Sequence, residues 1–442
     1  NINDMPENTA LTIENGIAQS SINAMVPFTI HVCEEHLQTD GTIVDQELPI
    51  ALFVHGGTAS RNDALSFALV NCLEGIATIG YDLPFHGGRT SVKLLDDNGQ
   101  LVLAPTALDQ FNTYTGREVE QGLTDYIGDL TGATQNVGQL YGLASNLDPA
   151  VVEANLMTIA AETYAVTRYV QEGDWSDILP GLRFDRTRIF NQSQSYGMSF
   201  TQAVYALRNE YAGILMGVGS SYMVMANVPM APSNALLGSG FMGLAMGLKT
   251  TPAELQNGAY KDPIIAIHQW LCGRSDASGY APYVLRHRQD EKSINLLQIG
   301  NSWDQTLSTF AQLSLDAALG TPAFRYGSNW TLNEDLPHGK DYGEIYSGTP
   351  ISENALFNGR KHTAALFYHS NSCHSLMTSP LCSRSYELSY PPIIELAEPI
   401  AYPSPICEYQ NMARGFMRQV LLGSPEIGPP EGTCEQLYST QN

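Results

Sequence analysis

Positive charge is scarce in this chain, membrane-length apolar runs are missing, and no metal-type cysteine motif occurs. Lys and Arg number 22 against 45 Asp and Glu, a net charge of −23. Nucleic-acid binding needs a basic footprint, which this balance excludes, and anionic membrane surfaces would repel the chain. The most apolar stretch, residues 212–248, is interrupted by Asn227, Pro229, Pro232, Ser233 and Asn234. A spanning helix needs about 20 consecutive apolar residues, so no integral membrane segment is expected. The 7 cysteines form no CxxC and no Cys/His spacing suited to zinc, and no D-x-D-x-D-G loop supports calcium. Neither a metal nor an organic cofactor is expected. The chain starts at Asn1, without an initiator Met or a signal-peptide pattern, as expected of a processed or shortened chain.

What is present describes a core-forming protein. Of 442 residues, 43% are hydrophobic and 15% charged, with 39 glycines, a composition of loop-rich enzymes rather than of disordered chains. Cys373 and Cys382 lie close together in a loop-like stretch, and Cys407 and Cys434 bracket the C-terminal segment. Two disulfides are expected there, with Cys72, in the apolar run FALVNCL, as a free thiol. Seven reduced cysteines are the alternative. Disulfides imply an oxidising compartment, so a secreted, periplasmic or cell-surface bacterial protein is expected.

Short apolar runs bounded by glycine alternate with helical patterns, which predicts a mostly parallel sheet covered on both faces. The runs are 49–54, 75–81, 187–192, 213–218, 294–299 and 363–369, and the more alternating 26–33 predicts an antiparallel edge strand. Residues 149–172 read as a crossover helix, with Leu156, Ile159, Thr163, Val166 and Val170 on one face. One domain over 1–442 is expected, with insertions at about 91–146 and 220–291 as cap or lid and a proline-rich segment at about 384–442. The amphipathic piece 408–422 within that last segment predicts a final packing helix.

Four motifs carry chemistry. After the strand TRIFNQ come Ser193, Gln194, Ser195, Tyr196 and Gly197, then a helical run. Strand, sharp turn and helix make a nucleophile elbow, usually G-x-S-x-G, with the serine at its tip. Ser195 is the candidate, Ser193 stands where glycine is usual, and Ser199 is the rival one turn into the helix. After an earlier strand, His55-Gly56-Gly57-Thr58 predicts a backbone donor for an oxyanion. Gly57 is assigned this role, with Thr58 as its alternative and the N–H of Tyr196 as the second donor, while His55 is read as structural. Asp82-Leu83-Pro84-Phe85-His86-Gly87-Gly88-Arg89 is read as a loop locked by its own hydrogen bonds. The acid is expected at Asp304, in GNSWDQTL after a strand, with Asp316 dismissed because it lies inside the following helix. The base is expected at His374, on the loop after the last strand. His369 is the alternative, and His338 and His362 are weaker still.

The order HGG, DLPFHGGR, SQSYG, GNSWDQ and NSCH resembles that of the bacterial α/β-hydrolase superfamily esterases and lipases, in particular the large secreted virulence-factor-like lipases. Asp276-Ala277-Ser278-Gly279-Tyr280-Ala281-Pro282 fits a segment that precedes the acid in those proteins. The resemblance covers about three quarters of the chain. It implies an α/β-hydrolase fold and a cofactor-free carboxylesterase or lipase acting on small or polymeric esters or lipids through Ser195, Asp304 and His374. The alternatives are a thioesterase or peptidase on the same chassis, and an inactive binding module. Met223, Met225, Met230, Met242 and Met246 suit either an adaptable acyl-chain wall or a cap's own core.

Overall fold

The computed structural model describes residues 13–14, 17–18, 26–43, 46–57, 59–84, 86, 149–208, 210–221, 263–271, 273–301, 307, 309–324, 350–369 and 405–430. The insertion 91–146, nearly all of 220–262 and most of 384–442 lie outside these residues. Nine strands form the main sheet: β1 (Phe28–His31), β2 (Leu48–Val54), β3 (Ala77–Tyr81), β4 (Phe184–Gln194), β5 (Gly213–Gly217), β6 (Asn295–Asn301), β7 (Ala323–Phe324), β8 (Ala355–Phe357) and β9 (Arg360–His369). The helices are α1 (Ala64–Cys72), α2 (Pro149–Glu172), α3 (Tyr196–Leu207), α4 (Pro263–Leu271), α5 (Ala277–Tyr280), α6 (Thr309–Leu319) and α7 (Pro405–Leu421).

The strand order is β8-β9-β6-β5-β4-β2-β3-β1, with β7 beside β9. Pairs from β3 through β2, β4, β5 and β6 to β9 are parallel, and only the outer strands β1 and β8 pair antiparallel. Both observations match the sequence reading, including the antiparallel edge. Alternate residues serve opposite faces. Ile50, Leu52, Ile189, Ile214, Met216 and Leu296 pack with residues of α2, α3 and α6. Ala51, Phe53, Phe190, Leu215 and Leu297 pack with residues of α1 and α7. Each face has its own apolar helix layer, so the strands read as continuous hydrophobic runs. This strand order, with helices on both faces, is the α/β-hydrolase fold.

From β2 the chain steps to β3 on one side, then crosses back to β4 on the other. The direction of winding therefore reverses between β2 and β4, and such a switch opens a crevice outside the carboxyl ends of the strands. The loops after β2 and β4 are the two that flank it.

One sequence expectation fails. Cys72, the last residue of α1, is bonded to Cys33, with Cα atoms 5.2 Å apart. Cys33 follows β1, and the fold lays that segment beside the end of α1, an adjacency that a separation of 39 residues conceals. Cys407 is also disulfide-bonded, while Cys272, Cys373, Cys382 and Cys434 lie outside the described residues. Replacing both Cys33 and Cys72 by serine is expected to lower unfolding stability by about 4 kcal/mol, the chain-entropy value for a loop of this length. The denaturant midpoint reads it, and a loss under about 1 kcal/mol would show that the bridge hardly constrains the unfolded chain.

Among the described residues, no helix is long and apolar enough to cross a membrane.

Candidate active site

Ser195 follows β4 and precedes α3 with φ 55° and ψ −122°, outside the regions L-residues favour. It occupies the N-cap position, where a serine ordinarily takes extended backbone and caps the helix with its oxygen. Here the side chain makes no cap hydrogen bond. Such a backbone costs about 1–3 kcal/mol, which surrounding contacts must offset. Its N–H donates to Gly217 O at 2.8 Å, tying the turn to the end of β5.

Glycines of the β2 loop let that loop approach the turn. A Cβ on Gly56 would sit 2.7 Å from Ser195 Cβ and 3.1 Å from its Oγ. A Cβ on Gly57 would meet the Tyr196 ring at 2.5 Å, and one on Gly197 would meet Val54 O at 2.2 Å. The HGG loop and the turn are thus in van der Waals contact, with Gly56 nearest the serine and Gly57 against Tyr196. Sequence reasoning passed over Gly56; the signal for it was the doubled glycine after a buried strand. Tyr196 opens a helix of 12 residues, whose N-terminal N–H groups carry partial positive charge toward this spot. Thr58 lies outside the described residues.

His55 is structural, as the sequence suggested. It is fully buried, its Nε2 accepts from Leu83 N–H at 3.0 Å, and its Nδ1 is 2.7 Å from Gly56 O. An Nε2 that accepts leaves the ring proton on Nδ1, which donates to Gly56 O. The ring thereby fixes the glycine carbonyl beside Ser195. Asp82 accepts from the Arg61 N–H at 2.8 Å and from its guanidinium, while His86 Nδ1 bonds Pro84 O at 2.8 Å. His86 thus bonds backbone inside its own loop, as expected of it, and Asp82 ties the start of that loop to Arg61; Arg89 lies outside the described residues.

Ser199 is buried in α3. Its Oγ donates to Ser195 O at 3.2 Å and accepts from Ser220 N–H at 3.0 Å. The rival serine is engaged with backbone, the ordinary role of a helical serine.

Asp304 and His374 lie outside the described residues. The strands that precede them are described. β6 ends at Asn301 and β9 at His369, and these two residues are register partners. Both segments therefore leave the sheet side by side, from the same carboxyl edge on which Ser195 lies. His369 is the last residue of β9, buried, with Nε2 3.6 Å from Glu408 Oε2 of α7. His362 lies toward the other end of β9 and accepts from Ile294 N–H at 3.0 Å. His338 is outside the described residues.

Asp316 sits in α6, buried, and accepts from the Gln298 amide and the Tyr368 hydroxyl. Burial raises its carboxyl well above the ordinary aspartate range, opposed by the Gln298 bond. The unfolded chain sheds this proton near pH ~3.9 while the folded chain keeps it, so stability falls as pH rises from there toward the folded pKa. Asp316→Asn removes the proton from the balance. Its melting temperature relative to wild type is expected to climb as pH rises above about 4, the range in which only the unfolded wild-type chain has lost the proton. A difference that stays flat over that range rules out a protonated Asp316.

No protein-family model and no curated protein matches this sequence. Among solved structures, the chain is similar to an acylaminoacyl peptidase of Pyrococcus horikoshii, at 12% identity and TM-score 0.40 over 95% of this chain and 42% of that one. It spans less than half of that peptidase. A 2,6-dihydroxy-pseudo-oxynicotine hydrolase is similar at 11% identity and TM-score 0.38, over 95% and 69% of the two chains. A cold-adapted esterase from an Arctic intertidal metagenomic library is similar at 14% identity and TM-score 0.29, over 69% and 76%. The fold assignment rests on the strand order rather than on these likenesses.

Proposed function

We propose that this chain is a serine carboxylic-ester hydrolase of esterase or lipase type, with Ser195 as nucleophile, His374 as base and Asp304 as its orienting acid. The observation that carries the reading is the backbone of Ser195: a strained serine between a buried strand and a helix, at the switch point, with a glycine loop against it. Strain of this kind persists where function holds it. In the proposed reaction Ser195 Oγ attacks the ester carbonyl carbon as His374 takes its proton, and Asp304 accepts from the other ring nitrogen. The N–H groups of Gly57 and Tyr196 hold the oxyanion. His374 then protonates the departing alcohol, and water resolves the acyl-enzyme by the same route.

The Cys33–Cys72 bridge supports an oxidising compartment, hence a secreted, periplasmic or surface-held bacterial protein akin to the virulence-factor-like lipases. The whole chain is read as one catalytic domain whose insertions, 91–146 and 220–291, frame the substrate entrance. A fluorophosphonate probe tests the nucleophile, and a nitrophenyl ester series of increasing acyl length tests the substrate class. Labelling that survives Ser195→Ala defeats the assignment of the serine. Turnover of thioesters or peptide amides in place of every oxygen ester defeats the esterase reading.

A further inference from the structure

The strand that delivers Ser195 ends in an unusual way for the centre of a buried sheet. Asn191, Gln192, Ser193 and Gln194 are consecutive, polar and buried. Buried polar groups cost free energy unless bonded, so each should have a partner with a reason to be there. Gln192 pairs reciprocally with Asn71 of α1, at 2.9 and 3.0 Å. Asn191 and Ser193, two residues apart and so on the opposite face, share one partner. The hydroxyl of Tyr205 donates to Asn191 Oδ1 at 2.6 Å and reaches Ser193 Oγ at 3.0 Å. With the phenol proton on Asn191, the Ser193 hydroxyl donates to Tyr205 Oη, and Leu215 O of β5 lies 3.5 Å from Ser193 Oγ.

Tyr205 belongs to α3, the helix that leaves the elbow, while Asn191 and Ser193 belong to β4, the strand that enters it. The bridge closes a triangle with Ser195 at its apex. Tyr205 is itself anchored: the buried Arg288 guanidinium donates to its carbonyl at 2.8 Å and is held in turn by Asp290. Burial pushes the phenol up, so it remains a proton donor. A glycine at 193 could not make the bond to Tyr205.

We infer that Ser193 and Tyr205 are positioning residues: their shared hydrogen bond sets the angle between strand and helix and so holds Ser195 in its strained, reactive backbone. This rests on the reading of Ser195 as nucleophile. The motif's usual glycine is replaced here by a hydroxyl that does mechanical work, which assigns a role to the one position where the elbow departs from pattern.

The test compares full-length wild type, Ser193→Ala, Tyr205→Phe and the double variant, by fluorophosphonate labelling well below their melting temperatures. Both single variants keep the carbon framework and remove one oxygen. The maximal labelling rate is expected to fall about tenfold in each, with the half-saturating probe concentration within about twofold of wild type. The double variant should be no slower than the worse single one, since both remove the same bond. Labelling rates within about twofold of wild type, with only a lowered melting temperature, overturn the proposal, as do independent, multiplying losses. Ser195→Ala runs alongside. If it still labels, the nucleophile assignment falls and the brace with it; if it does not while both brace variants label normally, only the brace falls.

Discussion

Ser195→Ala is expected to lower ester hydrolysis by about a millionfold and abolish phosphonate labelling, while leaving the melting temperature at or above that of wild type. Both halves follow from the same geometry. The hydroxyl is the sole proposed atom that forms the acyl bond, so nothing else in the chain can replace it. Residual turnover of about 10³–10⁴ over water would come from the oxyanion donors and binding alone. Stability is spared because Ser195 Oγ does not cap α3, and alanine at φ 55° is no more strained than serine there. Should the variant lose several degrees and keep its activity, the serine is a structural residue and the chemistry lies elsewhere.

The second large effect is expected from Gly197→Ala, which should abolish labelling and lower stability by more than about 3 kcal/mol. The added methyl would come within 2.2 Å of Val54 O and 2.6 Å of His55 O. Both are backbone atoms, one at the end of a central strand and one in the glycine loop, so neither can swing aside as a side chain would. Relief requires α3 to move away from β2. That movement would pull Tyr196 N–H and the Gly57 loop apart, so activity and stability should fall together. Urea unfolding and phosphonate labelling measure the two losses, and an alanine variant normal in both would mean the helix has slack that its packing does not reveal.

The elbow was legible because it is local. A strand, a small-residue turn and a helix occupy consecutive positions, and the serine's placement follows from chain continuity. The same holds for the crossover helix 149–172, whose 3.6-residue period falls on its exact length in the structure. The roles of His55 and Ser199 could be anticipated for a similar reason, since each bonds backbone within a few residues of itself. Cys72 failed for the opposite reason. Its apolar neighbours say only that it is buried, and burial suits a free thiol and a bridged one alike. Nothing in the sequence says that Cys33 will lie beside it.

Sequence alone determined seven of the nine strands, the doubly covered sheet, and which serine stands at a strand's end, because hydrophobic period and turn chemistry are properties of contiguous residues; the short strands Ala323–Phe324 and Ala355–Phe357 carry too few residues to show a period. Tertiary structure alone decided which glycine touches that serine, which cysteine finds which, and that a tyrosine ten residues past the turn reaches back to the strand before it. Those pairings depend on how separate elements lie against one another. Hydrogen bonds and close contacts act over about 3 Å, and no pattern along the chain encodes that distance.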